Sequence, residues 1–91
     1  MTTHKLPLKM SIAHIFTDQA PRTKHHVFVE LKSSYGTEKQ FTRDTIENHL
    51  MSLKAVGILK AEEARLTARN ELVQAYVITS FGLSKLVSKL N

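Results

Sequence analysis

The stretch from Thr42 to Lys60, T-R-D-T-I-E-N-H-L-M-S-L-K-A-V-G-I-L-K, constrains the fold of this chain most strongly. Its apolar residues recur at spacings of four, three and three, which places them along one side of an α-helix: Ile46, Leu50, Leu53 and Val56. Thr42 can cap the first turn by accepting a hydrogen bond from a free backbone N–H. Gly57 supplies the backbone freedom with which a helix ends. The pattern therefore predicts an amphipathic helix over residues 42–57 with its apolar side against a core.

A second motif, Y-V-I-T-S-F-G, follows downstream at Tyr76 to Gly82. Together with L-K-A-V-G-I-L it resembles the winged helix-turn-helix of many small bacterial and archaeal repressors. The residues that carry the resemblance are Leu50, Leu53, Gly57, Ile58, Leu59, Tyr76, Ile78, Thr79 and Gly82. The resemblance covers the C-terminal half of the chain. It implies an α+β, mostly α fold: a single winged helix-turn-helix domain over residues 1–91 with three helices, a two-stranded wing and a C-terminal helix.

Length and charge narrow the class of function. The chain has 91 residues, enough for one domain with a modest core. Its 13 Lys and Arg outnumber 8 Asp and Glu, and the net charge of +5 favours a polyanion such as nucleic acid as partner. A positive charge that serves solubility alone stays open as the alternative. The chain has no cysteine, and this excludes disulfides, thiolate metal sites and thiol catalysis.

No apolar run approaches the roughly 20 residues that a membrane span requires. The first ten residues also lack the apolar segment of a secretory signal. We therefore predict a cytoplasmic protein without membrane contact, associated with the nucleoid when bound to DNA.

The first half of the chain contains two further candidate helices. Residues 1–6 are polar and predicted to be flexible. Pro7 to Asp18 reads as a short amphipathic helix. Thr23 to Tyr35 fits a helix that ends at a glycine, although V-F-V-E-L also suits a strand, so the state of residues 25–31 stays open with the helix favoured. Gly36 to Phe41 is then the turn, with a short extra helical turn at Thr37–Gln40 as the alternative.

The second half predicts the wing and one more helix. Residues 61–79 are predicted to form the wing hairpin, with its strands joined near Ala68–Glu71. A helix through A-E-E-A-R-L-T-A-R is the competing reading. Residues 81–90 predict an amphipathic C-terminal helix, whose apolar residues are candidates for a dimerisation seam or for the chain's own core: Leu83, Leu86, Val87 and Leu90.

The resemblance implies that the start of the third helix lies in the major groove of DNA. Carried onto this chain, that face comprises Thr42, Arg43, Thr45, Glu47, Asn48 and Ser52, with His49 at its margin. Arg43 suits guanine and Asn48 suits adenine, whereas the charges of Asp44 and Glu47 oppose phosphate. Lys39, Lys54 and Lys60 flank the helix as candidate phosphate contacts, and Arg65 and Arg69 lie in the wing. A solvated helix face is the alternative for each residue.

Catalytic patterns are absent from the sequence. His25 and His26 are adjacent, so on a helix they diverge and do not readily bind one ion. There is no H-E-x-x-H and no glycine-rich phosphate loop. We predict no catalytic residues, metal, cofactor or small-molecule ligand. The sequence favours a homodimeric, sequence-specific regulator that binds double-stranded DNA, with a winged-helix adaptor for another protein as the alternative and an enzyme subunit as a weaker one.

Overall fold

Four α-helices and a three-stranded antiparallel sheet make up the described part of the computed structural model, which covers residues 6–90, with side chains to residue 87. In chain order the elements are α1 (Leu8–Ile15), a 3-10 turn (Phe16–Asp18), β1 (Arg22–Thr23), α2 (Lys24–Tyr35), α3 (Arg43–Ala55), β2 (Leu59–Leu66), β3 (Leu72–Ile78) and α4 (Ser80–Leu90). Of the predicted flexible segment 1–6, residues 1–5 lie outside the described residues. No helix in the described range is long and apolar enough to cross a membrane.

A capping box at Thr23 decides the conformation of the ambiguous second segment. The Thr23 hydroxyl accepts a hydrogen bond from the His26 N–H at 3.4 Å, and the Thr23 N–H donates to His26 Nδ1 at 3.1 Å. Two N–H groups at the start of α2 are thereby satisfied locally. Val27, Leu31 and Tyr35 are buried on one side of α2. The favoured helix is therefore confirmed, and the strand alternative is wrong.

The sheet has the strand order β1-β3-β2. Strands β2 and β3 are the predicted hairpin, so the helical alternative for this region is wrong. Strand β1 was not predicted, and it pairs Arg22 with Tyr76 and Thr23 with Ala75. The register of the hairpin shifts between Glu62 and Arg65, and this bulge leaves two residues of β2 opposite one residue of β3. Such a bulge bends the strand and increases its twist.

The core lies between the helices and one face of the sheet. Its most completely buried side chains are Ile12, Phe16, Val27, Ile46, Leu50 and Leu59. The segment between α2 and α3 forms two hydrogen-bonded turns, Glu38 N–H to Tyr35 O at 3.0 Å and Phe41 N–H to Glu38 O at 3.1 Å, so the extra helical turn does not form. Phe41 is buried and stacks on Phe28 with ring centroids 4.7 Å apart, which fixes the start of α3 against α2.

Residues of the two sequence motifs join the end of α3 to the start of α4. The Thr79 hydroxyl donates to the Gly57 carbonyl at 2.5 Å and accepts from the Gly82 N–H at 2.8 Å. Gly57 has φ +87°, a left-handed conformation that ends the helix. A Cβ on Gly82 would overlap the backbone carbonyl of Ile58. The spacing of the motif residues therefore reflects a close backbone approach that admits only glycine.

Candidate nucleic-acid interface

Helix α3 presents a short polar face at its N-terminal end. Thr42 Oγ1 accepts a hydrogen bond from the Thr45 N–H at 3.1 Å and lies 3.0 Å from the Thr45 hydroxyl, so the predicted cap is present. Ile46, Leu50 and Leu53 are buried as predicted. The opposite side of the helix is therefore directed outward and carries Asp44 and Asn48, both exposed.

Arg43 lies beside this face rather than at its centre. Its guanidinium is 4.2 Å from the centroid of the Phe28 ring, and its Nε donates to His25 Nδ1 at 3.2 Å. Phe28 is itself stacked on Phe41, so a cation, a ring and a second ring form three layers. Phe28 and His25 therefore hold Arg43 next to α2, and Phe41 supports the Phe28 ring. Among the described residues, its two terminal nitrogens have no hydrogen-bond partner.

Glu47 does not contribute a free charge to the outer face of α3. Its carboxylate forms an ion pair with Lys24 at 3.2 Å and accepts a hydrogen bond from the Tyr76 hydroxyl at 3.2 Å. Burial and the neighbouring Glu47 carboxylate raise the pKa of Tyr76 above its usual value. The sequence placed Glu47 on the DNA-facing side of α3, whereas the structure pairs its carboxylate with Lys24 of α2 and Tyr76 of β3. Of the two acidic residues that oppose phosphate, only Asp44 stays on the outer side.

The hairpin between β2 and β3 ends in a tight, internally bonded turn. Thr67 Oγ1 accepts hydrogen bonds from the Arg69 N–H at 3.2 Å and the Glu71 N–H at 3.1 Å. Asn70 adopts φ +63°, a left-handed conformation that asparagine tolerates better than most residues. The turn therefore matches the predicted position near residues 68–71. Arg65 and Arg69 are exposed on this hairpin.

A groove of about 710 Å³ separates the starts of α2 and α3 from the hairpin, and we call it the arginine groove. One wall carries Arg43 with His25 and His26, and the other carries Arg65 and Arg69. Glu71 is the acidic residue among its lining side chains. Three arginines from two elements that are distant in sequence therefore converge on one opening, which suits a polyanion.

Other predicted site residues lie outside the arginine groove. Asn48 is exposed on the outer side of α3, and Ser52 accepts a hydrogen bond from Lys9 at 2.6 Å on the flank that faces α1. The three predicted phosphate-contacting lysines, Lys39, Lys54 and Lys60, are exposed at separate places: the turn before α3, the last turn of α3 and the base of β2.

His25 and His26 were considered in the sequence only as metal ligands, and their place in the arginine groove was missed. The available signal was their position directly after a helix-capping threonine, at the exposed start of α2. Within the described range, no cluster of three His, Asp or Glu side chains could hold a metal ion.

The predicted dimerisation residues on α4 differ in exposure. Leu86 is only 5% exposed and packs into the chain's own core, with Leu83 half-buried against it. Val87 is 48% exposed. The side chain of Leu90 lies outside the described residues. Of the described members of this set, Val87 therefore offers the largest apolar surface to a partner.

Helices α2 and α3, the hairpin that follows them and the short β1 strand beside it together define a winged helix. The hairpin is the wing of this fold, and α3 is the helix that the sequence predicts as the recognition helix. The fold implied by the resemblance in the sequence is therefore confirmed.

Solved structures show the same fold in transcriptional regulators. Bacillus subtilis PadR in complex with operator DNA is similar over 91% of this chain and 46% of its own length, with a TM-score of 0.74 and 17% identity. A PadR-like transcriptional regulator from Bacillus cereus matches 89% of this chain and 75% of its own length, with a TM-score of 0.67 and 17% identity. A transcriptional regulator homologue from Pyrococcus horikoshii matches 92% of this chain and 73% of its own, with a TM-score of 0.62 and 17% identity.

This chain thus spans less than half of the B. subtilis protein. No protein-family model matches the chain, and no curated protein sequence is significantly similar to it. Identities this low establish a shared fold, whereas function has to be argued from the site.

Proposed function

We propose that the chain is a transcriptional regulator that binds double-stranded DNA. The observation that carries the proposal is the arginine groove, in which Arg43 beside the recognition helix and Arg65 and Arg69 of the wing line one opening. A solved protein of the same fold, B. subtilis PadR, is bound to operator DNA. Phosphate contacts from arginines supply most of the affinity of such complexes and fix the register on the duplex.

Sequence readout is assigned to the N-terminal end of α3. Asn48 is exposed on the outer side and has the amide geometry that pairs with adenine, with Thr45 about one turn earlier and Thr42 at the N-cap. Arg43, which the sequence favours as a guanine reader, is held by Phe28 and His25 beside α2, with its terminal nitrogens available for guanine or phosphate. Ser52, Lys39, Lys54 and Lys60 remain proposed as flanking contacts.

The pairing of Glu47 supports the proposal electrostatically. A free carboxylate on α3 would repel the phosphate backbone of a bound duplex. In the structure Lys24 and Tyr76 engage both carboxylate oxygens of Glu47. The outer surface of α3 is therefore less acidic than the sequence alone suggests.

The test is a titration of fluorescent duplexes at two salt concentrations, with one duplex from the region upstream of the chain's own gene and one of random sequence. A specific regulator should prefer its own region by about a thousandfold or more. Weak and equal binding that disappears with salt would mean that the basic charge is generic, and it would overturn the specific function.

Two substitutions separate the roles of the arginines. Arg69→Ala should weaken all duplexes alike and lower the slope of log affinity against log salt by about one. Arg43→Ala should cost about 1–3 kcal/mol on the preferred duplex and relax specificity. Lys32→Ala is the matched control, since it removes one exposed positive charge from the far end of α2, outside the arginine groove. If the control weakens binding as much as either variant, the site assignment is wrong.

We further propose that the regulator acts as a homodimer through the flank of α4 that carries Leu83 and Val87, with the predicted Leu90 as a further member whose side chain lies outside the described residues. Leu83 and Val87 give this flank an apolar surface, and Lys85 lies on the other side of the helix. A two-fold interface would pair this flank with itself. Val87→Asp should therefore convert a dimer to a monomer in sedimentation velocity, whereas a monomeric wild-type protein at micromolar concentration would refute the proposal.

A further inference from the structure

A second groove lies on a different surface from the arginine groove, between α1, the end of α3 and the start of α4. Its volume is about 520 Å³, and its lining is almost entirely apolar; we call it the apolar groove. The residues that matter for the argument are Met10, Val56, Ile58 and Phe81, with the charged side chains of Lys9 and Lys85. None of the arginines of the arginine groove contributes to it.

Two apolar residues of this groove are unusually accessible for their size. Val56 is 60% exposed and Phe81 is 52% exposed. Phe81 is nevertheless held in place, because its ring lies over Gly57, where a Cβ would come 3.6 Å from the ring, and Lys85 Nζ lies 5.4 Å from the ring centroid. The apolar groove is therefore a concave surface with an ordered wall, and covering it would remove large side chains from water.

The charge around the apolar groove has one sign. Neither α1 nor α4 contains an aspartate or glutamate, and neither does the sequence from Asn48 to Lys60 at the end of α3. Lys9 and Lys85 line the groove itself. Lys9 also contributes, after burial, to lowering the pKa of His49 on the adjoining flank of α3. An occupant that supplies carboxylates would be attracted here, and one that supplies lysines would be repelled.

The excess of positive charge around the apolar groove argues against a second copy of the chain as its occupant and favours a different partner. Docking two apolar grooves face to face would bring two pairs of lysines together with no acidic residue on either α1 or α4 to neutralise them. The flank proposed above for the homodimer is the other side of α4. The concave shape also suits a convex ridge better than a flat surface.

We propose that the apolar groove binds an amphipathic helix of another protein, whose apolar residues at i, i+3, i+4 and i+7 are flanked by glutamate or aspartate. The apolar ridge packs against Met10, Val56, Ile58 and Phe81, and the carboxylates pair with Lys9 and Lys85. This mode of recognition places two or three anchors in a groove and uses charge at the rim for selection. The inference does not depend on DNA binding, because the two grooves share no residue.

The test is selection of a displayed library of helical peptides against the full chain. The peptides carry the apolar ridge, and each flanking position is Glu, Gln or Lys in equal shares. We expect selected peptides to be rich in Glu at these positions. The best peptide should bind the Lys9→Glu/Lys85→Glu variant about tenfold or more weakly, because two attractions become repulsions. A Lys32→Glu/Lys39→Glu variant carries the same charge change elsewhere and should bind the peptide as the wild type does.

A second variant, Phe81→Ala, removes the wall of the groove without changing charge and should weaken the same peptide while leaving DNA affinity unchanged. Circular dichroism and thermal melting establish that each variant is folded. The proposal is overturned if flanking Lys or Gln is selected as often as Glu, or if no peptide binds saturably. It is also overturned if the groove variants abolish self-association, which would make a second copy the occupant. The proposal is also overturned if the wild-type protein binds phosphatidylglycerol vesicles and the groove variants lose this binding as strongly as they lose the peptide. A membrane surface would then be the occupant of the groove.

Discussion

The three-layer stack of Arg43, Phe28 and Phe41 offers a sharp test of how the site is organised. In the variant Phe28→Leu a smaller apolar side chain remains, and both faces of the ring are lost. One face stacks on Phe41 at 4.7 Å and the other lies under the Arg43 guanidinium at 4.2 Å. The variant therefore removes two ring interactions and leaves an apolar side chain beside the core.

The expected cost follows from these two contacts. An aromatic pair contributes about 0.5–1.5 kcal/mol beyond area burial, and an exposed cation–π contact contributes about 0.5–1 kcal/mol. Phe28→Leu should therefore lower the free energy of unfolding by about 1–2.5 kcal/mol. The part that involves Arg43 can be separated by a double-mutant cycle with Arg43→Ala, and the coupling energy should be about 0.5–1 kcal/mol.

The assay is urea unfolding of wild type, both single variants and the double variant. Lys39→Ala replaces Arg43→Ala in a control cycle with Phe28→Leu, because Lys39 is an exposed cation with no ring contact given by the structure. A coupling energy near zero for Phe28 and Arg43, or an equal value in the control cycle, would refute the stack. DNA affinity gives a second reading: Phe28→Leu should weaken binding when Arg43 is present and have no further effect in the Arg43→Ala background.

Three further predictions concern stability. Gly82→Ala should destabilise the fold by about 1–3 kcal/mol or more in urea unfolding, because its Cβ would overlap the Ile58 carbonyl; unchanged stability would refute the close approach. Thr42→Ala should lower the free energy of unfolding by about 0.5–2 kcal/mol, because the α3 cap is lost. Thr42→Ser keeps the hydroxyl and should have a stability close to that of the wild type. Burial and Lys9 lower the pKa of His49 below 6.5, so the unfolded chain binds more protons and stability rises with pH up to about 6.5. His49→Gln should flatten this rise in melting temperature, and an unchanged profile would contradict it.

Local signals in the sequence were sufficient for the helices. The apolar spacing and the Thr42 cap predicted residues 42–57, and α3 runs from Arg43 to Ala55 between that cap and Gly57. Both signals depend on residues within one or two turns of each other, so no distant contact is needed to interpret them. For the second segment, periodicity allowed helix or strand. The reciprocal bonds of Thr23 and His26 favour the helix, and they too are local.

Contacts between segments that are distant in the chain could not be predicted from the sequence. Strand β1 is only two residues long and exists because Arg22 and Thr23 pair with β3, more than fifty residues later. Glu47 falls on the margin of the polar side of α3 in a helical projection, and nothing nearby in sequence indicates that Lys24 and Tyr76 approach it. The spacing of apolar residues predicts which side of a helix is buried. It does not predict which residues of other elements will contact the side chains at the edge of that side.

The distribution of ion pairs changes what the net charge of +5 means. Arg22 holds Asp18 at 2.7 Å and Glu30 at 2.5 Å, and it keeps the pKa of Asp18 well below its usual range. Lys24 forms an ion pair with Glu47 at 3.2 Å. These pairs neutralise Arg22 and Lys24 locally, whereas Arg65 and Arg69 remain exposed on the hairpin. None of these pairs includes Arg43, Arg65 or Arg69, so the charges of the arginine groove remain available to a polyanion. We therefore expect the salt dependence of DNA binding to become weaker when Arg65 or Arg69 is replaced by alanine. It should stay unchanged when Arg22 is replaced.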